Sequence, residues 1–377
     1  MQIQSNSYQS KLERNSSIEL LRIILMLFVI TLHYNGMCGH ALEYCLHGVN
    51  FYFTRLTESI CICAVNCFMI ISGYFLSFNK EIKFKRILHI LGIVIGINFF
   101  TELIGIIITK QFNLKSLIRC FLPENYFSTF YIITYILSPF INSIFDKLQE
   151  FKKTLIFIII LFVLFIIYPT IYDSAKAIFD FNLNGLDTIN GAGAGNAGGY
   201  TIVNFIVMYC VGAFLRRFSF ANPKKNIIIS LSYLGSIICI FLNLLFIPQT
   251  ALCYYNVFVV LNAIFLFLIF LQLNINNSVI NYISKGTFGV FCLHVSSISN
   301  LLWNKFNIQN ASSKTGCIIL NTIISVLIMT TVCYACDLLL QIIINPIRKQ
   351  LGKTRLYNKS ISFDNTESGD NDELSKK

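Results

Sequence analysis

Long apolar stretches dominate the 377-residue chain and constrain its fold more than any other feature. Each is about as long as the roughly 17–25 residues that a helix needs to cross a bilayer. Only 12% of the residues are charged, about half of the roughly 25% found in soluble domains, so lipid must solvate most of the surface. We therefore predict an all-α integral membrane protein, a bundle of about ten transmembrane helices. The predicted helices cover residues 18–37, 57–78, 87–109, 128–145, 154–172, 200–216, 226–247, 253–272, 283–302 and 316–341.

The basic residues lie in short clusters between these stretches, although the formal net charge is +11. This distribution is typical of membrane proteins with positive cytoplasmic loops, and we predict no nucleic-acid partner. With the N-terminus inside, about three quarters of the lysines and arginines fall on the cytoplasmic side, which favours both termini being cytoplasmic. The chain then divides into a cytoplasmic N-terminal segment (1–17), a polytopic membrane domain (18–345) and a cytoplasmic tail (346–377) that we predict to be disordered.

Thirteen cysteines are present, and most lie inside the apolar stretches. Cys61 and Cys63 form a C-x-C, but the chain lacks the two C-x-x-C pairs that indicate a zinc site. We interpret the cysteines as small apolar core residues and predict no metal.

Ionisable side chains inside the apolar stretches are the strongest candidates for function. Such a group at the centre of a bilayer costs on the order of 2.5–3.5 kcal/mol on insertion scales, so it usually faces a protein interior. The candidates are Glu19, Arg22, His33, Glu102, His294 and Asp337. Glu102 and Asp337 could be polar ties between helices, and we predict neither as catalytic.

Arg22 and His33 share one face of the first predicted helix, because eleven residues at 100° each come close to three full turns. Their separation along the axis is about 16 Å, which places Arg22 near the inner surface and His33 deep in the membrane. Glu19, three residues earlier, can pair with Arg22. His294, in the ninth predicted helix, lies at a similar depth to His33, so the two imidazoles could share a site. Alternatively, either histidine could bond a neighbouring carbonyl, and Arg22 could extend to lipid phosphates.

Five stretches in order carry a resemblance to a known family. They are RNSSIELLRIILMLFVITLHY (14–34), FMIISGYFLS (68–77), FSTFYIITYILSPFIN (127–142), GGYTIVNFIVMYCVGAFLR (198–216) and ISKGTFGVFCLH (283–294). The first resembles the first helix of the membrane acyltransferase 3 family, the bacterial O-acyltransferases of surface glycans, in which an arginine, ten residues and a histidine follow one another. Arg22 and His33 meet that pattern. The chain departs from the family in its aromatic helix starts, which often carry tryptophan, because the only tryptophan here is Trp303.

The resemblance implies an enzyme of the bacterial cytoplasmic membrane that uses acetyl-CoA, or another acyl-CoA, as donor substrate without a bound cofactor. The acyl group would pass to a hydroxyl of a surface polysaccharide or a lipid-linked sugar on the outer side. His33 and Arg22 would be catalytic. Arg22 would also bind acyl-CoA phosphates at the inner mouth, together with the basic loop after the second helix. The residues of that loop are Lys83, Lys85 and Arg86.

Possible further site residues are Glu19, His294, Ser72 and Tyr74. A neutral imidazole at His33 could take the proton of the sugar hydroxyl, or could carry the acyl group itself. Ser72, Gly73 and Tyr74 could equally provide close packing between helices.

The same sequence features are also compatible with other functions of membrane proteins. A membrane transporter or glycan exporter would suit ten helices with buried polar groups, but two related halves are not evident. A membrane glycosyltransferase would usually carry a charged outer loop. Gly193, Gly195 and Gly198 satisfy G-x-G-x-x-G in the predicted outer loop 173–199, but no strand precedes them, so we discard dinucleotide binding.

Overall fold

The computed structural model describes residues 15–122, 125–179, 198–218, 220, 226–308, 315–354 and 357–363. The protein is an all-α membrane protein, as the apolar stretches predict. Seven helical segments of the described part are long and apolar enough to cross a bilayer: Ser16–Cys38, Gly48–Leu76, Phe84–Thr109, Tyr126–Leu148, Phe151–Phe179, Asn226–Phe246 and Ile318–Leu351. The N-terminal residues 1–14, Gly193 and Gly195 of the predicted outer loop, and residues 364–377 of the predicted tail lie outside the described residues.

The described part of the chain consists of helices and two short strands that pair with each other. In chain order they are α1 (Ser16–His33, continued by a π-turn at Tyr34–Cys38), α2 (Ala41–Tyr44), α3 (Gly48–Cys61), α4 (Ala64–Leu76), β1 (Glu81–Lys83), α5 (Phe84–Thr109), α6 (Leu114–Arg119), α7 (Tyr126–Leu148), α8 (Phe151–Phe162, continued by a π-turn at Val163–Ile167), α9 (Tyr168–Phe179), α10 (Ile202–Arg217), α11 (Asn226–Phe246), α12 (Pro248–Ala251), α13 (Val257–Gln272), α14 (Ser278–Ile283, followed by a 3-10 turn at Ser284–Gly286), α15 (Thr287–Leu293), α16 (Ser297–Phe306), α17 (Thr315–Leu351) and β2 (Ser360–Ser362).

The start of α1 is tied to the start of α14. The Asn15 side chain caps α1 by accepting the backbone N–H of Ser17 at 3.0 Å, which satisfies one of the unpaired donors of the first turn. The Ser16 hydroxyl accepts the backbone N–H of Asn277 at 3.0 Å and donates to its carbonyl oxygen at 3.4 Å. These bonds hold two chain segments at one level, and both segments then run into the bundle.

Two glycines let α4 and α10 pack with their backbones in contact. A Cβ atom at Gly73 would collide with the carbonyl oxygen of Tyr209, and one at Gly212 would collide with the carbonyl oxygen of Ile70. Small residues at helix contacts are the usual way for membrane helices to pack closely. The packing interpretation of the Ser-Gly-Tyr stretch is therefore confirmed for Gly73.

We expect Gly212→Ala to destabilise the protein, because the added methyl group meets main-chain atoms that cannot move aside. Overpacking of this kind costs about 1–3 kcal/mol. The midpoint of thermal unfolding in detergent should fall. Gly92→Ala is the matched control, since nothing lies within 4 Å of a Cβ at that position and alanine favours helix more than glycine does. Equal midpoints for both variants would contradict the close α4–α10 contact.

The ninth predicted helix, residues 283–302, is not continuous. The α15 helix ends at Leu293 and α16 begins at Ser297. The Ser296 hydroxyl accepts the backbone N–H of Ser299 at 3.4 Å, so it caps the new helix and competes with continuation of the old one. Apolar composition alone does not show this break.

The α17 helix continues to Leu351, past the domain boundary predicted at residue 345. Part of the tail predicted to be disordered is also ordered. Ser360–Ser362 pairs antiparallel with Glu81–Lys83 at the start of α5, and Phe363 packs on Phe140 with ring centroids 4.6 Å apart. A polar tail gives no sign of such a strand, because its pairing partner lies far away in the sequence.

Candidate active site

The break between α15 and α16 holds His294 in place through its backbone. The N–H of His294 donates to the carbonyl oxygen of Val290 at 3.0 Å, which closes the last turn of α15. The next helix supplies two side chains that donate hydrogen bonds to the carbonyls at the break. The Ser299 hydroxyl donates to the Leu293 carbonyl at 2.5 Å, and the Trp303 indole N–H donates to the His294 carbonyl at 2.8 Å. The only tryptophan of the chain therefore positions a histidine.

The His294 ring is buried, with 1% of the residue exposed. Its Nδ1 lies 2.7 Å from the carbonyl oxygen of Phe291. A carbonyl oxygen only accepts, so Nδ1 carries the hydrogen, and the lone pair of the neutral ring is on Nε2. No described residue forms a hydrogen bond with Nε2. The alternative prediction, that His294 bonds a neighbouring carbonyl, is therefore confirmed. This bond uses Nδ1 and leaves the basic nitrogen Nε2 available.

His33 lies against His294. The two ring centroids are 4.7 Å apart and the ring planes are inclined by 79°. Ser16 and Asn277 are hydrogen-bonded to each other. His33 follows Ser16, and His294 follows Asn277, by the same number of residues, which brings the two histidines to a common depth. The Nδ1 atom of His33 is buried without a hydrogen-bond partner among the described residues. The structure thus brings together the two histidines that depth alone related in the sequence.

Arg22 and Glu19 form the ion pair that their spacing predicts. Arg22 Nη1 lies 3.0 Å from Glu19 Oε1, with the Arg22 side chain 31% exposed and that of Glu19 7% exposed. The guanidinium also lies 5.6 Å from the ring centre of Phe75. Because one carboxylate oxygen engages one guanidinium nitrogen, Arg22 keeps donors for a second anion.

A cavity of about 430 Å³, hereafter the inner cavity, lies at the end of the bundle where α1 and α5 begin. Four of its lining residues carry basic side chains: Arg22, Arg86, His89 and Lys285. The rest of the lining is mainly aromatic and aliphatic, with Ser72, Ser284 and Thr287. The described lining holds no acidic residue, so the cavity suits an anionic ligand with an apolar part.

Tyrosines on α7 position Arg86 in that lining. The guanidinium donates to the hydroxyl of Tyr131 and lies 4.8 Å from the ring centre of Tyr135. Arginine stacks on aromatic faces readily because it is weakly hydrated. The stacked position keeps the charge at the cavity wall.

A second cavity of about 390 Å³, hereafter the outer cavity, lies toward the other end of α5. Its lining is mostly polar and consists of Asn98, Thr101, Glu102, Ser116, Arg119, Cys120, Asn125, Cys292, Val295 and Ser296. The Asn98 side chain donates to the carbonyls of Cys120 and Leu122 at 3.3 Å each, so the segment after α6 is tied onto α5.

A thin partition separates the two cavities. On α5, Ile93 lines the inner cavity and Asn98 the outer cavity, a rise of about 7.5 Å at 1.5 Å per residue. On α15, Phe291 lines the inner cavity and the next residue, Cys292, lines the outer cavity. The Phe291 ring packs on Phe127 of α7 with centroids 4.8 Å apart.

The histidine pair lies in this partition. His294 falls between Cys292 and Val295, which line the outer cavity, and its ring centroid is 5.6 Å from that of Phe291. Neither histidine lines either cavity itself. A substrate on each side would therefore meet the imidazoles only after a side chain such as Phe291 moved.

Other predicted site residues are placed differently. The Ser72 residue lines the inner cavity, but its hydroxyl donates to the Phe68 carbonyl at 2.9 Å. The Tyr74 hydroxyl instead accepts from Arg216 at 3.1 Å. Lys83 lies 3.5 Å from Glu81 with its side chain 64% exposed, and Lys85 lies 5.7 Å from the ring centre of Tyr357. Neither lysine lines the inner cavity.

Sequence reasoning missed His89, Lys285, Phe291 and Trp303 as parts of this site. His89 could have been found, because it is an ionisable residue inside a predicted helix. The sequence-based prediction also missed Glu58, a buried acid of α3 that faces Asn35. Among the described residues, no cluster of three or more His, Cys, Asp or Glu side chains is placed to hold a metal ion.

The fold and the site together define a multi-pass membrane protein with a histidine pair between a basic cavity and a polar one. A family model described as an acyltransferase domain matches residues 15–339. The chain therefore belongs to the acyltransferase 3 family and is a membrane acyltransferase, as the five stretches predict. Neither the curated proteins nor the solved structures gave a significant match.

Proposed function

We propose that this acyltransferase moves an acetyl group from cytoplasmic acetyl-CoA to a hydroxyl of a surface polysaccharide or lipid-linked sugar, at the bacterial cytoplasmic membrane. The contact between His33 and His294 in the partition carries the proposal, because it places basic nitrogens between two cavities of different chemistry. The inner cavity suits the donor. Its basic lining can neutralise CoA phosphates, and its aromatic walls can hold the pantetheine arm. In this proposal the inner cavity opens to the cytoplasm, and both termini lie on that side of the membrane.

The chemistry needs a base at the partition. A sugar hydroxyl is a poor nucleophile near neutral pH until a neutral imidazole takes its proton. The hydroxyl oxygen then bonds to the thioester carbonyl carbon, the carbon–sulfur bond breaks, and the proton passes from the imidazolium to the leaving thiolate. In the second route an imidazole nitrogen attacks the thioester carbonyl, the carbon–sulfur bond breaks and CoA leaves as the thiolate. The sugar hydroxyl then attacks the acyl-imidazole, the nitrogen–acyl bond breaks, and the hydroxyl proton passes through the freed ring to the thiolate. Both routes use the same pair of rings.

Purified protein in sealed vesicles tests the function. With [14C]acetyl-CoA on the side of the inner cavity and a panel of hexoses and N-acetylhexosamines opposite, the label should appear in the sugar. Inside-out vesicles should accept the donor from the bath, whereas right-side-out vesicles should require it to be enclosed. A transporter would leave the label in CoA, and that result would refute the proposal.

Donor binding should depend more on Arg86 than on Lys83. Loss of one hydrogen bond to a charged group costs about 1.5–3 kcal/mol, so Arg86→Met should raise the KM for acetyl-CoA about tenfold or more. Lys83→Met should change this KM less, because Lys83 lies outside the cavity lining. The control is Lys152→Met, an exposed cation at the start of α8. If Lys83→Met raises the KM as much as Arg86→Met does, the nucleotide extends over β1.

A further inference from the structure

We propose that the outer cavity is the acceptor site, and that Glu102 and Arg119 hold a short carbohydrate segment there by its hydroxyl groups. This inference rests on the proposed acyl transfer and adds the residues that choose the acceptor. The outer cavity has a volume of about 390 Å³, which lies at the small end of the roughly 300–1,000 Å³ range of small-molecule sites. One end of a saccharide fits such a space, and a folded polymer does not.

Most polar side chains of the outer cavity already bond within the protein. Asn98 donates both of its described bonds to main-chain carbonyls of the segment after α6. The Thr101 hydroxyl donates to the Asn98 carbonyl at 3.0 Å, and the Asn125 side chain accepts from the Ser128 N–H at 3.2 Å as the cap of α7. The hydrogen bonds of these three side chains serve to build the wall of the cavity.

Glu102 is the side chain with bonding capacity to spare. It lies on α5 facing the outer cavity and is half-buried. No hydrogen bond or ion pair of its carboxylate is found within the described part of the chain. An ionised group inside a membrane helix is costly and normally serves a purpose. A carboxylate accepts from two neighbouring hydroxyls at once, which is the pattern that a sugar ring presents.

Arg119 adds donors to the same wall. It ends α6 and lines the outer cavity together with Glu102. A carboxylate that accepts and a guanidinium that donates can bond both faces of a hydroxyl, because each hydroxyl is donor and acceptor. An apolar ligand would offer no hydrogen-bond donor to the Glu102 carboxylate, so the cavity selects for carbohydrate over a lipid chain.

The cavity also leads to the reacting groups. Cys292, Val295 and Ser296 form its wall on either side of His294. A hydroxyl bound beside Val295 and Ser296 lies next to the partition. The acyl donor approaches the same partition from the inner cavity, on the side lined by Phe291. The acceptor site and the donor cavity therefore flank the same histidine pair.

Kinetics of single variants test the assignment in detergent-purified protein. Glu102→Gln keeps the shape and removes the charge, and Arg119→Met removes the donors. Each should raise the KM for an acceptor sugar about tenfold or more and leave the KM for acetyl-CoA within about twofold. Glu43→Gln and Lys115→Met are the matched controls, an exposed acid of α2 and an exposed cation of α6 that do not line the cavity. Size-exclusion profiles confirm that each variant is folded.

Two sources of acceptor are compared, free disaccharides and the same sugars attached to a polyprenyl diphosphate. A rise in the acceptor KM with either source supports the site and tells which source the enzyme uses. Unchanged acceptor KM values in both variants, or a rise in the KM for acetyl-CoA instead, would overturn the assignment. If the wild-type protein transfers no acetyl group to any sugar, the proposed function fails and not merely the acceptor site.

Discussion

Replacing His33 by alanine is expected to reduce acetyl transfer by about 10²–10⁴-fold, the usual contribution of a positioned general base. The variant should still accumulate in the membrane, because His33 makes no side-chain hydrogen bond to a described residue that would be lost. The measurement is the acetyl content of the glycan, or the rate of labelled acetyl transfer by purified protein. His33→Gln tests whether a polar side chain of similar size without a basic nitrogen suffices.

His294→Ala should cost a comparable factor, and the double variant should be little worse than either single variant. Groups that act as a unit show this lack of additivity. His40→Ala is the matched control, since His40 lies on the exposed outer end and pairs with Glu43 at 3.0 Å. Undiminished transfer by His33→Ala would refute its catalytic assignment, and full multiplicative loss in the double variant would contradict a shared step.

Opening the partition is expected to turn the enzyme into a thioesterase. In Phe291→Ala, the packing of Phe291 on Phe127 across the partition is lost, and water can reach the thioester from the outer cavity. Water then attacks the acetyl carbonyl and yields acetate and free CoA. Because closed sites suppress such side reactions, the ratio of acetyl-CoA hydrolysis to acetyl transfer should rise about tenfold or more. Free thiol release and labelled sugar are measured in parallel.

The matched control for this prediction is Phe288→Ala. Phe288 lies one turn earlier on α15 and lines the inner cavity only, so its removal enlarges that cavity without breaching the partition. Phe127→Ala should reproduce the hydrolysis of Phe291→Ala, because it removes the other ring of the contact. A ratio that rises equally in Phe288→Ala would show that the barrier to water lies elsewhere.

The main features of the site could be predicted from the sequence. Eleven residues of helix necessarily put Arg22 and His33 on one face, and the i, i+3 spacing brings Glu19 to Arg22. The apolar stretches predict the membrane fold, because a hydrophobic segment of sufficient length has few alternatives to crossing the bilayer. These inferences concern neighbours along one helix, where geometry is local.

Contacts between helices could not be predicted in the same way. Lys83 and Arg86 belong to one basic loop in the sequence, yet Arg86 lines the inner cavity and Lys83 pairs with Glu81 outside it. The two side chains differ by three positions, and helix α5 begins between them. Which cation meets the cavity depends on where Tyr131 and Tyr135 of α7 pack, and no local pattern carries that information.

The sequence by itself determined that this chain lies in a membrane, belongs to an acyltransferase family and carries Arg22 and His33 on one stripe. Only the tertiary structure decided that His294 meets His33, that α15 breaks beside it, and that two cavities approach the pair from opposite ends. The physical reason is that hydropathy and helical periodicity act within one segment, whereas a cavity is the space that several packed segments leave between them.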